Sequence, residues 1–178
     1  MNKLYTLVSV AAVIVTAACN SGGGGSDTAP SNDTAPAAQN VAAGTASPAD
    51  HAAVMKARHE HYEEMARAMK GIGDQLKASS PAMPEVQRHA AVLAGYGPQL
   101  LTWFPEGSGP EAGRTRAKAE IWSDAANFQS AARQYEQAAG AFNQAAQSGN
   151  VEAVRAALPA LQNTCKTCHE KYRGPEQD

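Results

Sequence analysis

Near its C-terminal end the chain reads 165-CKTCHEKYR-173, which sets two thiols three residues apart and a histidine directly after the second. In a helix that spacing places Cys165 and Cys168 one turn apart on one face, so both sulfurs point the same way. Cys-x-x-Cys-His is the attachment pattern of c-type haem: the two thiols add to the two vinyl groups of the porphyrin, and the imidazole of His169 ligates its iron. Other uses of the pair are weaker. A zinc site needs a further Cys or His at a recognised spacing, and the sequence offers none. A dithiol redox site belongs in a βαβ setting, and no strand pattern surrounds this one. A disulfide between residues this close closes almost no loop and would stabilise little.

Covalent haem is attached outside the cytoplasm, and the N-terminal residues agree with that route. Lys3 supplies a positive start, 7-LVSVAAVIV-15 is an apolar run too short to span a bilayer, and small residues follow in 16-TAAC-19. This reads as an export signal over residues 1–18. Cys19 directly after Ala-Ala is similar to a bacterial lipoprotein signal, in which the cysteine carries lipid and becomes the new N-terminus. Residues 19–50 are rich in Gly, Ser, Ala, Pro and Thr and hold too little apolar area to offset ordering entropy, so they read as a flexible tether. The expectation is an exported, periplasmic protein held to a membrane by lipid on Cys19.

From residue 51 to 178 the pattern is helical. The chain has 178 residues, 6% aromatic, with a formal net charge of −2, which gives no basic footprint for nucleic acid. Alanine dominates the apolar fraction and suits closely packed helices better than a sheet. One stripe at three-to-four spacing joins Arg58, Tyr62, Met65, Met69, Ile72 and Leu76; a second joins Val86, Ala90, Leu93, Gly97 and Leu100. After the Pro- and Gly-rich segment 105–115, a third runs from Ile121 to Ala146 and stops at Ser148-Gly149-Asn150. The fourth joins Val151, Val154, Leu158, Leu161, Cys165, Cys168 and Tyr172, and Pro159 is expected to kink or restart it. Four amphipathic helices with short connections predict an all-α, antiparallel four-helix bundle.

The chain resembles the cytochrome c′ family, the class II c-type cytochromes. The pieces that carry the likeness are Arg58, Tyr62 and Met65 in the first helix, Trp103-Phe104-Pro105, 120-EIWSDAANF-128 and 165-CKTCHEKYR-173. Ala119 stands where many relatives carry proline. The resemblance implies one covalent haem c in a four-helix bundle, with the first helix over the iron face opposite His169. There the residue four after the arginine decides the chemistry: methionine ligates iron in low-spin relatives, whereas a bulky non-ligand screens an open site in high-spin ones. Tyr62 occupies that place, and a neutral phenol with an ordinary pKa near 10 is a poor ligand. Met65 or His61 are the competing ligands, with gap-filling core packing the plainer reading of Met65 and a solvated face the plainer reading of His61 and His59. A filled sixth position would make the protein a low-spin electron carrier instead.

By the same resemblance, Arg58 pairs with a haem propionate, Arg173 lies beside His169, and His59 and Arg116 touch the haem edge. It also implies nitric oxide and carbon monoxide as ligands, and binding and electron transfer rather than turnover. It further implies pairing into a homodimer and exchange of electrons with a redox partner protein. Chain matured in an exporting bacterium is expected to show a Soret band and an intact mass raised by one haem that survives denaturation. Colourless protein with the mass of the bare chain would refute the attachment.

Overall fold

The structure, a computed structural model, describes residues 47–175. The signal, Cys19 and most of the tether expected from the sequence lie outside these residues. The described chain forms α1 (Pro48–Lys77), α2 (Met83–Tyr96), a one-turn α3 (Glu120–Ser123), α4 (Ala125–Gln147) and α5 (Val151–Tyr172), with 3₁₀ turns at Leu100–Trp103 and Pro110–Ala112. Among the described residues there is no strand, only an isolated antiparallel bridge between Ala117 and Arg173. The four long helices are those the sequence pattern predicts.

Local chemistry sets the ends. Ser47 and Asp50 form a reciprocal cap at the start of α1, with Asp50 N donating to Ser47 Oγ (3.3 Å) and Ser47 N donating to Asp50 Oδ2 (2.9 Å). Asn150 Oδ1 accepts from Glu152 N (2.9 Å) and Ala153 N (3.2 Å) and so starts α5. Gly149, at φ 71°, makes the preceding turn where a side chain would be strained.

Polar contacts fix the antiparallel order. Tyr135 Oη donates to Leu93 O (2.7 Å) and Gln87 Nε2 to Ala146 O (3.2 Å), so late α2 meets mid-α4 and early α2 meets its end. Arg155 Nη2 donates to Leu76 O (2.8 Å), joining the end of α1 to the start of α5. Backbones approach closely between α1 and α2, α2 and α4, and α4 and α5. Ala90, Ala139 and Ala146, fully buried at these contacts, permit that approach. The α1–α5 seam is wider and is bridged chiefly by side chains.

Two local expectations change. Pro159 does not restart α5, which continues from Val151 to Tyr172. Its ring lies on the exposed side, so the lost N–H bond falls where water can reach the freed carbonyl. The third stripe is divided at Asp124 (φ −124°, ψ 43°), which leaves Ile121 on α3 and Phe128 on α4. Asp124 accepts from Asn127 Nδ2 (2.8 Å) and Lys171 Nζ (2.6 Å), and this ties the break to the end of α5.

Phe142, Ile72, Leu93, Leu161, Val86 and Val154 are the largest fully buried side chains. Phe142→Ala should destabilise the bundle by about 3–5 kcal/mol, from lost transfer energy plus a cavity. Urea unfolding followed by far-UV circular dichroism measures this, and a loss well under that range would mean the core repacks around the site.

Candidate haem-attachment site

Cys165 and Cys168 sit one turn apart on α5, partly buried against the core, and both are free thiols. Burial raises the Cys165 thiol above its ordinary range, and burial followed by the neighbouring Cys165 pushes Cys168 up to about 11. Both are therefore neutral thiols near pH 7 in this environment, weak at metal binding and disulfide exchange. His169 follows on the same turn and is half-buried. Burial first, then Arg173 and Arg116, lowers its pKa and favours the neutral imidazole, the form able to ligate iron.

Across the α1–α5 seam stands Tyr62. Its ring centroid lies 6.4 Å from that of His169, inclined at 64°. Trp103 meets it edge-on at 5.5 Å and Phe104 at 6.4 Å. Burial above all, then Cys168, raises the Tyr62 phenol far above its ordinary value and keeps it neutral. Met65 shares the stripe but is buried within the hydrophobic core with Ala68 and Ile72.

The remaining candidates divide. Arg58 is buried, with 4% exposure, and its fork donates to four oxygens: Nη1 to Trp103 O (3.2 Å) and Ser108 Oγ (3.1 Å), Nη2 to Ser108 O (2.9 Å) and Thr115 Oγ1 (3.1 Å). It also stands 4.7 Å from the Phe104 ring centroid. The structure thus gives this arginine the loop after α2 as its partner. Arg116 Nε donates to Gly174 O (3.1 Å) and Gly174 N to Arg116 O (2.7 Å), which brings Arg116 to the end of α5 beside His169. Arg173 is exposed there, its backbone paired with Ala117.

His59 lies outside this group: its side chain is 73% exposed, with Nε2 3.1 Å from Glu63 Oε1. His61, expected on a solvated face, is instead half-buried and stacked on Trp103 at 4.7 Å. The sequence reading missed Ser108 and Thr115, whose roles depend on a partner about 50 residues away and leave no local pattern.

The donor set fits a covalently attached haem: two inward thiols one turn apart, a neutral imidazole beside them, an aromatic wall opposite and two arginines at the imidazole's edge. Among the described residues no three His, Cys, Asp or Glu side chains gather as a metal site. A cleft of about 290 Å³ lined by Leu101, Phe104, Ile121, Trp122 and Phe128 contains none of these groups.

Known proteins of similar sequence and shape share this arrangement of elements. The Cytochrome C' family profile matches residues 53–173. Cytochrome c′ of Rhodospirillum rubrum is 35% identical over 125 residues, which cover 70% of this chain and 84% of that protein. The crystal structure of cytochrome c′ from Thermochromatium tepidum superposes with a TM-score of 0.65 at 28% identity, covering 73% of this chain and 98% of the other. A nitric oxide complex of a cytochrome c prime variant from Alcaligenes xylosoxidans gives a TM-score of 0.62 at 26% identity, with the same coverage. A carbon monoxide-bound variant of that protein gives 0.63 at the same identity and coverage.

Arg58→Lys keeps the charge and loses the fork, and should lower stability by about 2 kcal/mol, the scale of a hydrogen bond to a charged group. The urea midpoint of the holoprotein reads the change. An unchanged midpoint would show that the four hydrogen bonds contribute nothing net.

Proposed function

This chain belongs to the cytochrome c′ family, whose members carry covalently bound haem c, and from that premise we propose that it captures nitric oxide at a haem with one open axial position. Cys165 and Cys168 hold the porphyrin, and His169 supplies the one protein ligand. The haem supplies an iron centre able to bind small neutral gases, and axial identity sets which chemistry follows. The observation that carries the reading is Tyr62 facing His169 across the seam while Met65 remains in the core.

The neutral Tyr62 phenol crowds the open side without ligating it. Trp103 and Phe104 hold its ring at the edge, so entry is limited to small ligands. Nitric oxide and carbon monoxide need no hydrogen-bond donor to bind ferrous iron, whereas bound dioxygen gains from one. The Tyr62 hydroxyl faces this side, and its orientation bears on that discrimination. Arg116 and Arg173 act from the His169 edge, favouring its neutral form.

Relatives in this family are periplasmic c-type cytochromes, and the reading places this chain there too, anchored through lipid on Cys19 with residues 20–50 as the tether.

Purified ferric holoprotein should give a high-spin EPR signal at neutral pH, and the reduced form a nitrosyl spectrum on addition of nitric oxide. Met65→Leu should leave both spectra in place. A low-spin ferric signal that Met65→Leu converts to high spin would instead establish a filled sixth position and an electron carrier.

A further inference from the structure

The rings around Tyr62 continue away from His169. Trp103 is buried, with 6% exposure, and meets Tyr62 at 5.5 Å and 84°. On its far side Trp103 meets Tyr96 at 5.2 Å and 77° and stacks on His61 at 29°. Tyr96 is half-buried, at the boundary with solvent. An unbroken run of oxidisable side chains therefore leads from the face of His169 to the surface between α1 and α2.

The outer end carries an acid–base partner. Tyr96 Oη donates to Glu64 Oε2 at 2.5 Å across the two helices. That hydrogen bond, then burial and the Glu64 charge, raises the phenol above its ordinary value, so Tyr96 stays protonated with an acceptor already in place. The other branches lack this pairing. From Tyr62 the second runs through Phe104 and Phe128 to Tyr172, and phenylalanine resists oxidation. Tyr135 donates to the backbone carbonyl of Leu93, which is no base at neutral pH.

We propose that Tyr96 and Glu64 form a proton-coupled oxidation site at the surface, connected through Trp103 and Tyr62 to the haem, where a small phenolic or enediol donor is oxidised as a hydroperoxide is reduced. The proposal rests on the open axial position, because the hydroperoxide must reach iron. In each one-electron step Tyr96 gives an electron toward Trp103 and Tyr62, and its phenolic proton passes to Glu64 Oε2. A tyrosyl radical beside a neutral carboxyl results. The donor's O–H bond then breaks, its hydrogen atom restores the Tyr96 phenol, a donor radical leaves, and Glu64 returns its proton to solvent. Two such steps deliver two electrons. With two protons from solvent they cleave the O–O bond, giving one alcohol, or water from hydrogen peroxide, and one water.

Ferric full-length holoprotein mixed with hydrogen peroxide and freeze-quenched should show a tyrosyl EPR signal, and a nitroso spin trap should label Tyr96 in a peptide map. Tyr96→Phe should abolish both, and Glu64→Gln should reduce the radical yield several-fold while the ferric spectrum is unchanged. An undiminished radical in Tyr96→Phe, or a label confined to other residues, overturns the proposal. The ferric spectrum before peroxide reports separately on the open position. If that position proves closed, azidyl radicals generated by pulse radiolysis in the ferrous holoprotein test the same connection in reverse. Haem oxidation that disappears in Tyr96→Phe supports the route, and an unaffected phase rejects it.

Discussion

A guanidinium buried to 4% exposure must have its hydrogen bonds satisfied, since an unpaired charge in such a place costs several kcal/mol. Arg58 meets that demand with oxygens from three places along the segment between α2 and α3: Trp103, Ser108 and Thr115. Residues 105–115 of this segment are rich in Gly and Pro and hold no large apolar side chain, so their path depends on those contacts more than on local propensity. One turn later on α1, His61 and Tyr62 rest against Trp103 by stacking and edge contact. The buried charge, the indole and the distal phenol are therefore one coupled unit. A shift in any of them moves the wall opposite His169.

The seam that this unit faces differs from the other three helix contacts. There, alanines let backbones approach and large side chains such as Phe142 and Leu161 fill the core. Between α1 and α5 the contact passes instead through Arg155 at one end and aromatic rings at the other. The end of α5 is anchored independently: Lys171 reaches Asp124, Lys118 N donates to Tyr172 O at 3.0 Å, and Gly174 pairs with Arg116. These ties matter because Cys165, Cys168 and His169 lie within the last two turns of α5, and a site holds its geometry only if its supports do.

Burial unites the site's chemistry. It keeps both thiols and the Tyr62 phenol protonated and His169 neutral. The seam therefore holds a neutral imidazole on α5 and a neutral phenol facing it from α1, with ring centroids 6.4 Å apart. At the opposite end of the aromatic run, Tyr96 is protonated for a different reason, its hydrogen bond to a carboxylate. The same residue type therefore plays two parts, decided by whether a base stands beside it.

Local spacing alone determined much of this protein. Cys165, Cys168 and His169 spell the Cys-x-x-Cys-His pattern within five residues, so the expectation of attached haem needs only one helical turn to be stated. Three-to-four periodicity placed the four helices and nearly all their buried positions, since a stripe needs only neighbours along its own helix. The fold decided what periodicity could not carry. The resemblance gives Arg58 a haem propionate as partner, whereas the fold gives it Trp103, Ser108 and Thr115, and its bond to Ser108 spans 50 positions that no local pattern connects. His61 read as solvated because it flanks its own stripe, and only Trp103 arriving from beyond α2 buries it. Pro159 was expected to interrupt α5, but the helix carries it on its exposed side, where water can take the carbonyl that the ring leaves unpaired. Short-range order follows from residue types in sequence, whereas which charge is buried and which ring faces His169 depend on chain segments that meet only after folding.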